Sequence, residues 1–236
     1  MLSIMLKDDT LENARLALTT LNSAAHNKPA ILLPHLPQVL PYLMAATEIK
    51  PNLIRELSYG PFKYKIDDGL EIRKSAYETL YALMDTPGFA QLNILDFFER
   101  IIDGLKDDHD IRALCTVILG KLVVLDPLET ERRLDSIALC FRAVLSTKLK
   151  DNAVKQEIEK LAEARRQILS CSLLLRRELG GIQWNGAPAG EAELAGQAGQ
   201  REWQDYWEWI NKEFGAAIAD LRDADDVGGG IGGRHV

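Results

Sequence analysis

Apolar residues recur at helical spacing along almost the whole chain. Residues 92–105 carry Leu92, Leu95, Phe98, Ile101, Ile102 and Leu105, an i, i+3, i+4 stripe that predicts an amphipathic helix. Residues 29–46 carry Leu32, Leu33, Leu36, Val39, Leu40, Leu43 and Met44, with Pro34, Pro37 and Pro41 expected to bend the segment. Residues 128–146 repeat the theme with Leu134, Ile137, Leu139, Phe141, Val144 and Leu145, and residues 201–222 with Trp203, Tyr206, Trp207, Ile210 and Phe214. Each stripe is most simply a core face between packed helices. The exception is the stretch 53–69. There Leu57, Tyr59, Phe62, Tyr64 and Ile66 alternate on either side of Gly60-Pro61, a strong turn dipeptide, and predict a β-hairpin. A lone two-stranded hairpin is marginal in water, so it must lean on the helices or on a partner.

The helical part carries a repeat. Asp8-Asp9 precede Arg15, Asp67-Asp68 precede Arg73, and Asp107-Asp108 precede Arg112, each pair followed by an apolar helical run. Aspartate at a helix start accepts hydrogen bonds from the unpaired amides of the first turn. The arginine one turn further can reach an aspartate of its own or of a neighbouring repeat. Arg73 to Arg112 is 39 residues, close to the ~40–47 of a HEAT or armadillo unit. Arg15 to Arg73 exceeds that step by 19 residues, close to the length of the predicted hairpin segment, which therefore reads as an insertion. A fourth inner helix is expected near Asn152-Ala153-Val154-Lys155.

The predicted fold is all-α: a HEAT-repeat α-solenoid (α-α superhelix) with an inserted β-hairpin. HEAT repeats are expected over 1–179 with the hairpin at about 53–68, then a Gly/Ala-rich linker over 180–200, a capping helix over 201–222 and a disordered tail over 223–236. With barely two turns ahead of the first Asp pair, the first repeat is expected to lack most of its outer helix. The chain is then read as the end of a longer solenoid, with Leu11, Ala14, Leu18 and Leu21 leaving an apolar edge partly uncovered.

Composition narrows the functions. The chain is 47% apolar and 27% charged, with a formal net charge of −7. That sign disfavours nucleic acid, which needs a basic field, and fits docking to a basic protein surface. No apolar run approaches a membrane span, and Lys7, Asp8 and Asp9 interrupt the apolar start, so no signal peptide is expected. Cys115, Cys140 and Cys171 are far apart, form no CxxC pair and are expected to be buried in a reducing compartment. His26, His35 and His109 lack metal-ligand spacing, and Asp107-Asp108-His109-Asp110 sits at a predicted helix start, where acidic residues are expected anyway. With no nucleophile or phosphate motif, neither an enzyme nor a cofactor or metal site is expected. Arg165-Arg166 and Arg176-Arg177 read as the solvated face of a long helix, with contact to an acidic partner as the lesser alternative.

Several blocks taken in order resemble a known family. They are Asn22-Ser23-Ala24-Ala25-His26-Asn27-Lys28-Pro29, Gly60-Pro61-Phe62-Lys63, Asp67 to Lys74, Asp103 to Asp107 and Val154-Lys155-Gln156-Glu157. Together they resemble the C-terminal TATA-binding-protein-interacting (TIP) type domain of the cullin-associated and neddylation-dissociated (Cand) proteins, from about residue 5 to about residue 176. The match fades from about residue 180, and the tryptophan-rich helix departs from the pattern. The resemblance implies a cullin-binding module in the cytoplasm and nucleus. Such a module grips the N-terminal region of a cullin, competes with the Skp-type adaptor and promotes substrate-receptor exchange on cullin–RING ubiquitin ligases. It also implies that Leu57, Tyr59, Gly60, Pro61, Phe62, Lys63, Tyr64, Lys65 and Ile66 form the partner-binding hairpin. Association with a separate N-terminal HEAT-repeat polypeptide is a further implied partnership. The alternative is a generic HEAT-repeat scaffold in which the hairpin is purely structural.

Overall fold

The computed structural model describes residues 2–6, 10–60, 62–150, 152–180 and 201–229. Asp8-Asp9, Pro61, the linker over 181–200 and the tail from 230 lie outside the described residues, as do the side chains of Tyr59, Phe62 and Tyr64. The chain forms two compact units, Met1–Cys115 and Thr116–Val236.

In the first unit, α1 (Leu2–Met5) and α2 (Leu11–Asn27) precede the proline-rich outer segment. That segment is divided into α3 (Pro29–Leu32), a 3-10 turn at Leu33–His35 that holds Pro34, and α4 (Leu36–Ala45), which starts around Pro37 and accommodates Pro41 in its interior. Each proline removes an amide donor, so one continuous helix would leave carbonyls unpaired. The hairpin follows as β1 (Ile54–Tyr59) and β2 (Phe62–Asp67), then α5 (Leu70–Leu83) and α6 (Ile94–Gly104). Asn93 caps α6, its Oδ1 accepting from the Leu95 amide at 3.2 Å. Helix α7 (His109–Leu125) carries the chain across into the second unit.

The apolar face of α2 packs on α5. Ala14, Leu18 and Leu21 are buried there, with the Thr79 hydroxyl donating to the Leu18 carbonyl at 3.4 Å. The expected uncovered edge is therefore corrected: the stripe is the α2–α5 contact itself. Among the described residues of these two helices Leu16 is the exposed large apolar side chain, while Ile4 of α1 and Ile31 of α3 are exposed nearby in sequence. Phe97, Phe98, Ile101, Tyr77, Leu80 and Leu83 complete the core of this unit. The Tyr77 hydroxyl donates to the Arg100 carbonyl at 2.6 Å, so this buried polar group is satisfied. Gly104 is needed for that approach, because a Cβ there would lie 2.8 Å from the Tyr77 hydroxyl oxygen.

In the second unit, Asp126 caps the short α8 (Pro127–Glu131), and α9 (Leu134–Leu145) supplies the buried Leu134, Ile137, Phe141 and Leu145. Helix α10 (Lys155–Leu179) begins where the fourth inner helix was expected. The single capping helix expected over 201–222 is instead two helices, α11 (Arg201–Glu213) and α12 (Gly215–Gly229), so residues 223–229, expected to belong to a disordered tail, are helical. Gly215, poor in helix propensity, stands at the start of the second. Trp203, Tyr206 and Ile210 of α11 are buried, and Tyr206 packs on Phe141 with its hydroxyl 2.8 Å from Ser172 Oγ. All three cysteines are buried, as expected, and burial pushes the Cys171 thiol up to about 12.

Candidate docking hairpin

The strands pair antiparallel in the register Ile54↔Asp67, Arg55↔Ile66, Glu56↔Lys65, Leu57↔Tyr64, Ser58↔Lys63 and Tyr59↔Phe62. Directly opposed positions share a face. Positions 57, 59, 62, 64 and 66 therefore fall on one face with Arg55, while Glu56, Ser58, Lys63 and Lys65 fall on the other. Positions 57, 59, 62, 64 and 66 thus lie at register positions of one side of the ribbon. Gly60 closes the turn with φ 59°, a left-handed conformation that favours glycine.

None of the described side chains of the hairpin is buried. Leu57, Lys63 and Lys65 are exposed, and Ile66 near the base is half-buried. A side chain such as Leu57, 40% exposed within an ordered strand, is apolar surface that this chain does not cover. Lys63 pairs with Glu56 across the strands at 3.7 Å, but both are well exposed, so the pair adds only ~0–1 kcal/mol.

The base is held by a network of charged side chains. The Asp68 amide donates to the Leu53 carbonyl at 3.0 Å, and Arg55 binds the Asp68 carboxylate twice, at 2.7 and 3.0 Å. Asp67 accepts from the Gly69 amide at 3.0 Å and from Arg73 Nη2 at 2.8 Å. Arg73 also grips Asp107 with two bonds, Nε at 2.7 Å and Nη2 at 2.9 Å. Arg73 is 2% exposed and Asp107 7%. Burial works against the Arg73 charge, but hydrogen bonds to Asp107 and then Asp67 outweigh it and raise the guanidinium above its ordinary value. The Asp–Asp…Arg pattern is thereby realised at Arg73, which bridges the end of β2, helix α5 and the loop before α7. Sequence reading found the motif but missed that one of its carboxylates belongs to the hairpin. At Arg15 the partner is Glu12, at 3.1 Å. Arg112 donates to the backbone carbonyls of Leu105 and Asp107, at 3.2 and 2.6 Å.

The Arg55 hydrogen bonds hold the Asp68 carboxyl below the usual carboxylate range. Because the folded value is depressed, this clamp contributes stability above the unfolded carboxylate pKa. That contribution is lost as the pH falls through the folded value. An NMR titration should find the Asp68 midpoint low in the parent chain and returned to the ordinary range in Arg55→Gln. An ordinary midpoint in the parent would mean that the clamp is not populated.

Among the described residues, no group of three His, Cys, Asp or Glu could hold a metal ion, and no helix is long and apolar enough to cross a membrane. Residues 31–211 match the family described as TATA-binding protein interacting (TIP20), TIP120. The chain belongs to the TIP120 family. The family is of HEAT-repeat type, in agreement with the paired helices and the hairpin set among them. The matched range includes the hairpin and runs into α11. Among curated relatives, this TIP120 chain is similar to the Emericella nidulans "Cullin-associated NEDD8-dissociated protein 1, C-terminal part", 46% identical over 92% of this chain and 20% of that protein. It is also similar to "Cullin-associated NEDD8-dissociated protein 2" of Rattus norvegicus, 42% identical over 70% of this chain and 13% of the relative. The Drosophila melanogaster "Cullin-associated NEDD8-dissociated protein 1" is 40% identical over the same shares. The TIP120 chain thus spans a fifth or less of the length of these relatives.

Proposed function

We propose that this chain is a cullin-binding module of a Cand-type exchange factor, and that it works by binding and not by catalysis. Its hairpin, with Leu57, Tyr59, Gly60, Pro61, Phe62, Lys63, Tyr64, Lys65 and Ile66, docks on the N-terminal region of a cullin and competes with the Skp-type adaptor. Two ligands with overlapping sites weaken each other, and a strained ternary intermediate speeds dissociation of both, which promotes substrate-receptor exchange. The observation that carries this reading is the contrast within the hairpin. Its base is fixed by a buried arginine, while no described side chain of its strands is buried. The names of the relatives, cullin-associated proteins, supply the partner class. The same proposal includes action in the cytoplasm and nucleus and association with a separate polypeptide of N-terminal HEAT repeats.

The test replaces residues 59–65 by a short Gly-Ser loop, with Phe62→Ala as the finer variant. A buried aromatic anchor typically contributes ~2 kcal/mol or more to an interface. Displacement of a fluorescent Skp-type adaptor from a cullin should weaken accordingly, while circular dichroism stays that of the parent. Binding to adaptor-free cullin should fall less, because helical faces contribute to it. If the loop variant displaces adaptor as well as the parent does, the hairpin is structural and the chain is a generic repeat scaffold.

A further inference from the structure

The second unit carries a groove of about 1210 Å³ along α10, bordered by α7 from Thr116 onward and by α12. Its rim is basic. Lys121, Arg166, Arg176, Arg177 and Arg222 line it, against one carboxylate, Glu163. This concentration of positive charge stands on a chain whose net charge is −7. Arg177 is partly neutralised by Glu178 at 3.0 Å. Arg166, Arg176 and Arg222 have no carboxylate within ion-pair distance among the described residues. The Arg176 guanidinium lies instead over the Trp207 ring, 5.5 Å from its centroid, which fixes its position without cancelling its charge.

The floor is apolar: Val117, Leu173, Leu174 and Leu221 line it. Val117 is 49% exposed, and on the same helix Val124, seven residues on, is 63% exposed. Along α10 the lining positions Glu163, Arg166, Ser170, Leu174 and Arg177 follow one helical face over 14 residues, a length of about 21 Å. A long slot between helices with an apolar floor and charged rims has the shape that receives an amphipathic helix. A cationic rim selects an anionic partner and repels a cationic one.

We propose that this groove docks an acidic amphipathic helix of a partner protein, with apolar side chains on Val117, Leu173, Leu174 and Leu221 and carboxylates on Arg166, Arg176 and Arg222. The site is independent of the hairpin reading. It shares no residue with the hairpin and lies in the other unit.

The probe is a fluorescein-labelled helical peptide of about 18 residues, with leucine at i, i+3, i+4, i+7 spacing and glutamate at the polar positions. A second peptide carries lysine in place of every glutamate. Fluorescence anisotropy with the full chain should show saturable binding of the glutamate peptide and none of the lysine peptide. Raising NaCl from about 50 to about 300 mM should weaken binding severalfold, since rim charges at this distance are screened. Arg166→Glu/Arg222→Glu should weaken it about tenfold or more. Both side chains are exposed, so this pair leaves the fold intact. Arg176→Glu is the stronger variant, admissible if tryptophan emission shows α11 still seated. Replacing residues 59–65 by the Gly-Ser loop should leave peptide binding unchanged, which separates this result from the fate of the hairpin proposal. No saturable binding, equal binding of the lysine peptide, indifference to the double charge reversal, or displacement of the peptide by an equimolar single-stranded RNA would each overturn the proposal.

Discussion

Arg73→Ala is expected to destabilise the Met1–Cys115 unit by about 3–5 kcal/mol, the usual effect of removing one partner from a buried ion pair. Arg73 is 2% exposed, and the carboxylate it grips twice, Asp107, is 7% exposed. Without the guanidinium, Asp107 is a buried charge that keeps only the Asp108 amide at 2.7 Å as a short-range donor, and Asp67 keeps the Gly69 amide. The truncation also removes the link between the end of β2 and the helices. Urea unfolding followed by far-UV circular dichroism measures the loss. Arg73→Lys should recover only part of it, because an ammonium cannot make the paired Nε and Nη2 contacts to one carboxylate. A loss under about 1 kcal/mol, the range of an exposed pair, would mean that the triad is no more than surface electrostatics.

The second large effect is expected at Tyr206. This side chain is fully buried, packs against Phe141, Trp203 and Trp209, and shares a hydrogen bond with Ser172. Tyr206→Ala should destabilise by about 3–5 kcal/mol, as other large-to-small aromatic core changes do. Tyr206→Phe removes only the hydroxyl. Ser172 Oγ still donates to the Ile168 carbonyl at 2.8 Å, so the expected loss is about 0.5–1.5 kcal/mol. Three of the four tryptophans, Trp203, Trp207 and Trp209, belong to α11. Their emission therefore reports whether α11 is seated. Tyr206→Ala should red-shift that emission at urea concentrations where Tyr206→Phe does not. Equal stabilities for the two variants would mean that α11 rests on its hydroxyl and not on its ring.

The parts of this fold legible in the sequence are those governed by short spacings. The stripe Phe98, Ile101, Leu105 needs only one helix to declare itself, although Leu95, counted with it, is 48% exposed and Phe97 is buried in its stead; the alternation around Gly60 is equally local. The Asp–Asp…Arg motif was legible as a local cap with a possible longer reach. The joining of Asp67 to Asp107 through Arg73 was not, because it brings together residues 40 apart in sequence. Arg55 and Asp68 likewise look like ordinary surface charges until the strands pair. The break between α11 and α12 escaped notice because Phe214 continues the apolar stripe of the first helix up to Gly215. The basic groove was hidden for a different reason. Arg166 and Arg176 read as a solvated face as long as α10 is considered by itself, and become a rim only when Val117 and Leu221 are brought alongside.

The hairpin is a sheet of two strands, so each strand keeps one edge whose backbone donors and acceptors meet no further strand among the described residues. Such edges are templates for pairing between molecules, and exposed charge is a common protection. Arg55, Glu56, Lys63 and Lys65, all exposed, supply it here. Lys63 and Lys65, placed in the proposed docking hairpin, also put charge on the open edge of β2. Neutralising both, as in Lys63→Thr/Lys65→Thr, leaves β2 with Asp67 at its base as its one charge. Light scattering at rising concentration should register that change before any binding assay does, so affinity measured on such a variant reflects the fraction of chain still soluble.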